Sequence, residues 1–283
     1  LTNSALAAAY EFSNQGDLAE PVYRACFEQA IDAGDFRLAA STMMVNGLIQ
    51  FQSGPLHAAV QTFQAIVDMG ARPDISNKYK VFFPAGQGYI GLGIVHLEWN
   101  NLETAENFLR IGLDLCRRGG LDGIFIGQIN LSRLRQAMGD LEGALEAIRQ
   151  PEQSGQRVDD FNIYTRNVQI ALARGDLVNA RQWAAPLIEI LNAPAPPQPP
   201  QLFLEMIEAA VARVYLAQGA FENTLQLLDR LQATAETGRR PSRLIEVYLL
   251  RALALQQQKQ GMPPFEAIEH IEQALKLAEP QGY

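Results

Sequence analysis

Residues 86–93 read GQGYIGLG. Gly86, Gly88 and Gly91 carry the spacing G-x-G-x-x-G, which after a strand and before a helix cradles the pyrophosphate of a dinucleotide. They follow KYKVFF (residues 78–83), a stretch that could pass for a strand. The fold turns on whether these glycines hold a ligand or let helices approach one another. A dinucleotide-binding domain needs parallel strands alternating with helices along the chain. KYKVFF is the only plausible strand, and Pro84 separates it from the glycines. The rest of the sequence decides.

Outward from this stretch, a short punctuation recurs: a small or turn-forming residue, a polar one or proline, then Leu or Phe. It reads Gly16-Asp17-Leu18, Gly54-Pro55-Leu56, Asn100-Asn101-Leu102, Gly139-Asp140-Leu141, Gly175-Asp176-Leu177 and Gly219-Ala220-Phe221, with a looser copy in Gly261–Phe265. Successive copies stand 38, 46, 39, 36, 44 and 42 residues apart. Three residues after the Leu, Ala59, Ala105, Ala144 and Ala180 recur, small enough for two helices to cross closely.

Apolar residues at helical spacing flank each turn. Leu141, Ala144, Leu145 and Ile148 share one face, as do Leu177, Ala180, Ala184, Leu187, Ile188 and Leu191; Ile124, Leu131, Leu134 and Met138 form a partner stripe before the fourth turn. The turn glycine supplies a left-handed residue that ends one helix, and the Asp or Asn after it starts the next. This is the logic of the tetratricopeptide repeat. The sequence therefore predicts an all-α chain, a right-handed superhelix (solenoid) of about seven antiparallel helix pairs, with residues 1–283 as a single repeat domain. In that register Gly93 is the helix-packing glycine of the third pair, and Gly86 to Gly91 lie near the start of its first helix. The dinucleotide motif is a decoy. Two longer connections, GARPDISNKYKVFFPAG (residues 70–86) and the proline-rich NAPAPPQPPQ (192–201), read as surface loops between repeats.

Composition limits the function. The 283 residues carry a formal net charge of -8, which argues against direct binding of nucleic acid. No run of about 18 apolar residues is present that could span a membrane, and, with no charged stretch followed by an apolar one at residue 1, no signal peptide is expected. Because the sequence begins at Leu1 within a helical pattern, it is expected to be a fragment of a longer cytoplasmic protein. Cys26 and Cys116 stand alone and read as buried thiols in a reducing compartment.

Catalytic motifs are missing. There is no GxxxxGK[ST], no G-x-S-x-G and no H-E-x-x-H. His57, His96 and His270 lie far apart, His96 in an apolar segment as a half-buried residue and His270 on a solvated helix face. We expect no enzyme, no metal and no cofactor in this chain.

Binding is another matter, because the first helix of each pair lines the concave side of such an array. Counting from the turns, the inward positions carry Gln87, Asn130, Arg133, Asn162, Arg166, Gln169, Arg213, Tyr248 and Arg251. Four of these nine are arginine in an acidic chain. Arginine forks, amides and an aromatic platform suit a sugar, a carboxylate or an acidic peptide.

The third repeat, GYIGLGIVHLEWNNLETAENFLRIGLDLCRRGG (residues 88–120), resembles a segment of MalT-type regulators that commonly reads GL-x-x-x-GLG-x-x-x-x-EWN-x-LE-x-A-x-x-x-L-x-x-G-x-x-L. Glu98-Trp99-Asn100, Leu102-Glu103, Ala105, Leu109, Gly112 and Leu115 carry it. ARGDLVNARQWA (173–184) is similar to the family's ALARGDL-x-x-A-x-x-WA, and ALKLAEPQGY (274–283) to the end of its repeat region.

These regulators are LuxR-family, ATP-dependent transcription activators of the signal-transduction NTPase class. They have a nucleotide-binding module before the repeats and a helix-turn-helix after them. In the founding type the repeats take part in recognising maltotriose, and inducer with ATP drives self-association. The resemblance implies an effector-sensing and self-association domain, partnered by a small-molecule inducer such as an oligosaccharide and by other domains of its parent. The alternative is a protein-interaction scaffold holding a peptide or another domain, without a small ligand. The inducer itself does not carry over, and Glu98 and Trp99 are expected to fix repeat packing.

Overall fold

A computed structural model describes residues 16–53, 56–120, 123–153, 160–193, 201–258 and 265–283. Its packing divides the chain into two compact units, one built on Gln15–Gly155 and one on Gln156–Pro280. The described residues form helices and turns, without a strand.

The first unit holds α1 (Gly16–Asp32), α2 (Phe36–Ser53), α3 (Leu56–Met69), the single turn α4 (Pro73–Ser76), α5 (Ala85–Glu98), α6 (Leu102–Gly119), α7 (Ile124–Ala137) and α8 (Leu141–Gln153). Each long helix packs on the next, and the first helices of successive pairs, α2, α5 and α7, also touch in sequence. The turns explain the antiparallel course. Asn100 and Gly139 adopt φ 57° and 83°, left-handed values that asparagine and glycine reach most readily. The Oδ1 of Asp140 then accepts the Gly143 N–H at 2.8 Å, closing the first turn of α8.

KYKVFF forms no strand; residues 78–84 make turns and bends that lead into α5. In α5 the glycines do what a ligand-binding loop cannot. A Cβ at Gly88 would sit 2.6 Å from the Phe63 carbonyl oxygen of α3. One at Gly93 would sit 2.7 Å from Leu109 Cγ of α6, and one at Gly86 would sit 2.9 Å from the Gly112 carbonyl oxygen. Helix α5 is pressed between its neighbours at backbone distance, with Ile90 and Val95 fully buried. The recurring alanines serve the same crossing: Ala59, Ala105, Ala144 and Ala180 are each 0% exposed.

The second unit holds α9 (Asp160–Ala173), α10 (Leu177–Asn192), α11 (Gln201–Ala217), α12 (Phe221–Thr237), α13 (Pro241–Gln258) and α14 (Phe265–Gln281). Its turns repeat the same device at Gly175 (φ 71°) and Gly219 (φ 72°), and Asp176 Oδ1 accepts the Asn179 N–H at 3.0 Å. The core gathers Val168, Leu187, Ile207, Val211, Leu228, Leu231 and Val247 from α9 to α13.

Two readings of the punctuation change. Gly34-Asp35-Phe36 follows the same pattern, with Gly34 left-handed and Asp35 capping α2 through the Leu38 N–H at 3.0 Å. It joins one pair to the next, so the motif marks helix junctions in general. Gly16 is the first residue of α1, and the helix expected before it lies outside the described residues. So do Gly54-Pro55, most of Gly261–Phe265 and most of the proline-rich segment.

Candidate functional site

In the first unit the predicted inward residues lie on α5 and α7. Gln87 and Asn130 are only 3% and 7% exposed. The Gln87 amide donates to Ser41 Oγ of α2 at 3.2 Å. Asn130 Nδ2 donates to the Ile126 carbonyl at 2.9 Å, and its Oδ1 accepts from Arg133 Nη1 at 3.0 Å. The other guanidinium nitrogen of Arg133 reaches Glu98 Oε1 at 2.5 Å. Arg133 therefore ties the first helix of one pair to the first helix of the next, while its side chain stays 38% exposed.

Next to Glu98, Trp99 packs between His57 (5.1 Å between ring centres) and His96 (5.3 Å, edge to face). Glu98 and Trp99 thus hold structural partners, as their place beside the turn leads one to expect. Burial keeps His96 below the usual imidazole range, so it is neutral near pH 7. The Cys116 thiol is buried and pushed up to about 12, which leaves it protonated and inert.

In the second unit Arg166 is buried and donates to Gln169 Oε1 at 2.5 Å, one turn along α9. Asn162 is half-buried, and its backbone carbonyl accepts from Thr165 Oγ1 at 3.0 Å. Arg251 of α13 pairs with Asp229 of α12 at 2.5 Å, so its charge is directed toward a second helix. Tyr248 stacks on His270 of α14 with ring centres 5.8 Å apart. His270 is therefore half-buried against an aromatic ring instead of lying on a solvated face.

Arg213 belongs to the richest constellation of ion pairs among the described residues. It pairs with Glu246, and Arg243, three residues earlier on α13, pairs with the same carboxylate. Arg243 also lies 3.8 Å from Glu205 of α11. Arg240 grips Glu205 with two donors, its Nε at 2.9 Å, and donates to the Thr234 carbonyl of α12 at 3.1 Å. Beside it Glu208 pairs with Arg230 of α12 at 2.7 Å, while its Oε2 is buried without a hydrogen bond.

Electrostatics sorts these carboxylates. Burial alone would raise Glu246, but the Arg213 and Arg243 guanidiniums outweigh it and hold the carboxyl down at about 2. Glu208 goes the other way: burial raises it, Arg230 offsets only part of that, and the charge of Glu205 adds to it. Arg213 and Glu246 remain 30% and 21% exposed. This pair therefore joins a buried network to a solvent-open face.

Of the nine sequence-predicted residues, the structure joins Asn130 to Arg133 and Arg166 to Gln169. It supplies the others with partners the sequence did not suggest. Glu205, Glu208, Arg240, Arg243 and Glu246 were missed. Glutamate is an ordinary helix former, so two in QLFLEMIEAAVARVYLA (201–217) draw no notice. The available signal was their place on an otherwise apolar helix, followed downstream by Arg239-Arg240-Pro241-Ser242-Arg243. Among the described residues no group of three metal-ligating side chains comes together, and no helix is long and apolar enough to cross a membrane.

The comparisons with known proteins follow from this architecture. The apo form of the quorum sensor NprR from B. thuringiensis superposes with a TM-score of 0.47 at 12% identity, covering 98% of this chain and 76% of that one. No curated protein matches the sequence. Residues 1–283 match the family described as the MalT-like TPR region. A chain of capped helix pairs, with a packing glycine where the third repeat requires one and a match from first residue to last, belongs to the MalT-like TPR region family.

Proposed function

We propose that this chain is the effector-sensing repeat region of a LuxR-family, MalT-like transcription regulator. In this reading it is a non-enzymatic cytoplasmic domain that binds a small polar ligand on its first helices and contributes to self-association. The observation that carries it is the pairing of Arg213 with Glu246. It joins α11 to α13, the first helices of successive pairs, and both side chains remain partly open to solvent.

A ligand bearing a carboxylate, a phosphate or paired hydroxyls competes with Glu246 for the Arg213 fork. Glu246 has a second guanidinium in Arg243, so it is not stranded when Arg213 turns to the ligand. What is lost is one tie between the two helices, while Arg243 and Glu205 still link them. A ligand that binds better to the untied arrangement shifts the population toward it by the difference in affinity. Arg133 and Glu98 offer the same exchange between α7 and α5.

A second reading rests on a different observation. Arg166, Arg213 and Arg251 stand on α9, α11 and α13, one to each first helix, and each holds a different partner. That spacing suits an extended acidic peptide, which takes one contact per repeat.

Thermal unfolding with a panel of oligosaccharides, carboxylates, phosphorylated metabolites and acidic peptides separates the two. A ligand at about a hundred times its Kd adds roughly 2.7 kcal/mol. The small-ligand reading expects a hit among the metabolites that is lost in Arg213→Ala or Arg133→Ala. A metabolite hit unchanged in both variants places the ligand elsewhere, and stabilisation by peptides alone favours the scaffold.

A further inference from the structure

The last described helix breaks the rule that the others follow. Four residues after the packing alanine stand Phe63, Leu109, Ile148 and Ala184, exposed 0%, 0%, 2% and 0%. The buried alanine of α14 is Ala267, 2% exposed and two residues after Phe265 instead of three, and the residue four further on, Ile271, is 43% exposed. Eight residues after the alanine the contrast repeats, with Leu113 2% and Leu275 63% exposed.

The structure shows what covers these positions in earlier repeats. The first helix of the following pair lies directly on them. A Cβ at Gly88 of α5 would stand 2.9 Å from Val67 of α3, and one at Gly127 of α7 would stand 2.7 Å from Leu113 of α6. On α14 no such helix lies over Leu275 among the described residues, and Leu275 is 63% exposed. With Phe265 (74%) and Ile268 (45%) it continues one stripe along the helix. Contiguous apolar exposure of this kind marks an interaction surface.

Charge describes the occupant. Around the stripe α14 carries Glu266, Glu269, Glu272 and Glu279 against Lys276 alone. We infer that the exposed face of α14, centred on Ile271 and Leu275, docks an amphipathic helix with an apolar stripe flanked by basic residues. The helical form follows from what sits on the equivalent positions of α3 and α6. The basic flanks follow from the glutamates, which repel an acidic helix and attract a cationic one. This stripe lies on a different helix from Arg213 and Glu246 and stands whether or not that pair binds an effector.

The protein's own α7 supplies a probe, since it covers the equivalent surface of α6 and residues 123–138 contain Arg133 and Arg135 but no acid. A labelled, end-capped peptide of residues 123–138 is titrated with the full chain and followed by fluorescence anisotropy. Saturable binding is expected, weakened about tenfold or more, some 1.4 kcal/mol, by Leu275→Glu in the protein. Arg133→Glu with Arg135→Glu in the peptide should weaken it comparably. Both altered protein side chains are solvent-exposed, so circular dichroism of Leu275→Glu and Ile271→Glu is expected to match the wild type. Binding that is absent, or equally strong to Leu275→Glu, overturns the proposal. A concentration-dependent dimer abolished by Leu275→Glu in sedimentation velocity overturns it as well, because the occupant is then a second copy.

Discussion

Helices α5 and α11 occupy comparable places as the central first helices of their units, yet they fill them by opposite means. Helix α5 admits its neighbours to backbone distance through glycines. Helix α11 uses alanines for close contact, Ala209, Ala210 and Ala212 being almost fully buried, and places Glu205 and Glu208 among arginines from α12 and α13. In α5 the geometry is fixed by shape, and any added atom is a collision. In α11 it is fixed by charges that must stay matched. A shape-locked crossing has one arrangement, whereas a charge-matched one can exchange partners, as can the Arg133–Glu98 pair at the end of α5. That difference is why the sensing role is assigned to the α11–α13 face.

The sharpest way to break the comparison is to strand a charge. In Arg240→Met, Glu205 loses its two-pronged partner at a site 0% exposed, and denaturant unfolding should show a loss of about 3–5 kcal/mol. A loss below about 1 kcal/mol would mean that the network contributes little and that apolar packing dominates α11 as it does α5.

Acid comes next. The Glu246 carboxyl lies at about 2 in the folded chain against an ordinary 4.5. Its contribution is fully present above pH 4.5 and fades as pH falls toward 2, amounting to at most about 3 kcal/mol. Glu208 is raised, so its protonation on acidification works in the opposite direction. Stability measured from pH 5 to pH 2 should therefore fall more steeply in wild type than in Glu246→Gln. Parallel curves would remove Glu246 from the account.

Steric effects in α5 rank third. Gly88→Ala should gain about 1 kcal/mol from helix propensity but lose more by driving a methyl against the Phe63 backbone, for a net loss of about 2 kcal/mol in urea unfolding. A stabilised variant would show that the two helices can part without cost. The smallest effect belongs to the turns, which both units share: Asp140→Ala should cost about 1 kcal/mol through its lost cap, read from the shift in Tm.

The turns were also what the sequence disclosed most openly. A left-handed residue followed by a capping carboxylate depends on local chemistry alone, so Gly139-Asp140 and Gly175-Asp176 could be read directly. Gly34-Asp35 was passed over because it joins pairs instead of dividing one, and the local motif is the same in both places. Gly93 was read as a packing residue from the repeat register, and Gly86 to Gly91 as the start of a helix, because no alternation of strands and helices runs along the chain. Side-chain pairing was less legible. Arg213 was picked out by register, but its partner Glu246 lies 33 positions away on another helix, and nothing local marks it. Gln87 and Asn130 were placed inward, yet their burial depends on how closely neighbouring helices pack, which periodicity does not state.

The most direct test of the charge-matched face is the titration of Glu246 itself, followed by NMR on glutamate-labelled protein with Glu246→Gln to assign the signal. The account predicts a carboxylate that stays ionised down to about pH 2 and returns toward the ordinary glutamate range in Arg213→Ala. An ordinary titration near 4.5 in the wild type would contradict it, because Arg213 and Arg243 would not then be holding that carboxylate and there would be no tie for an effector to exchange.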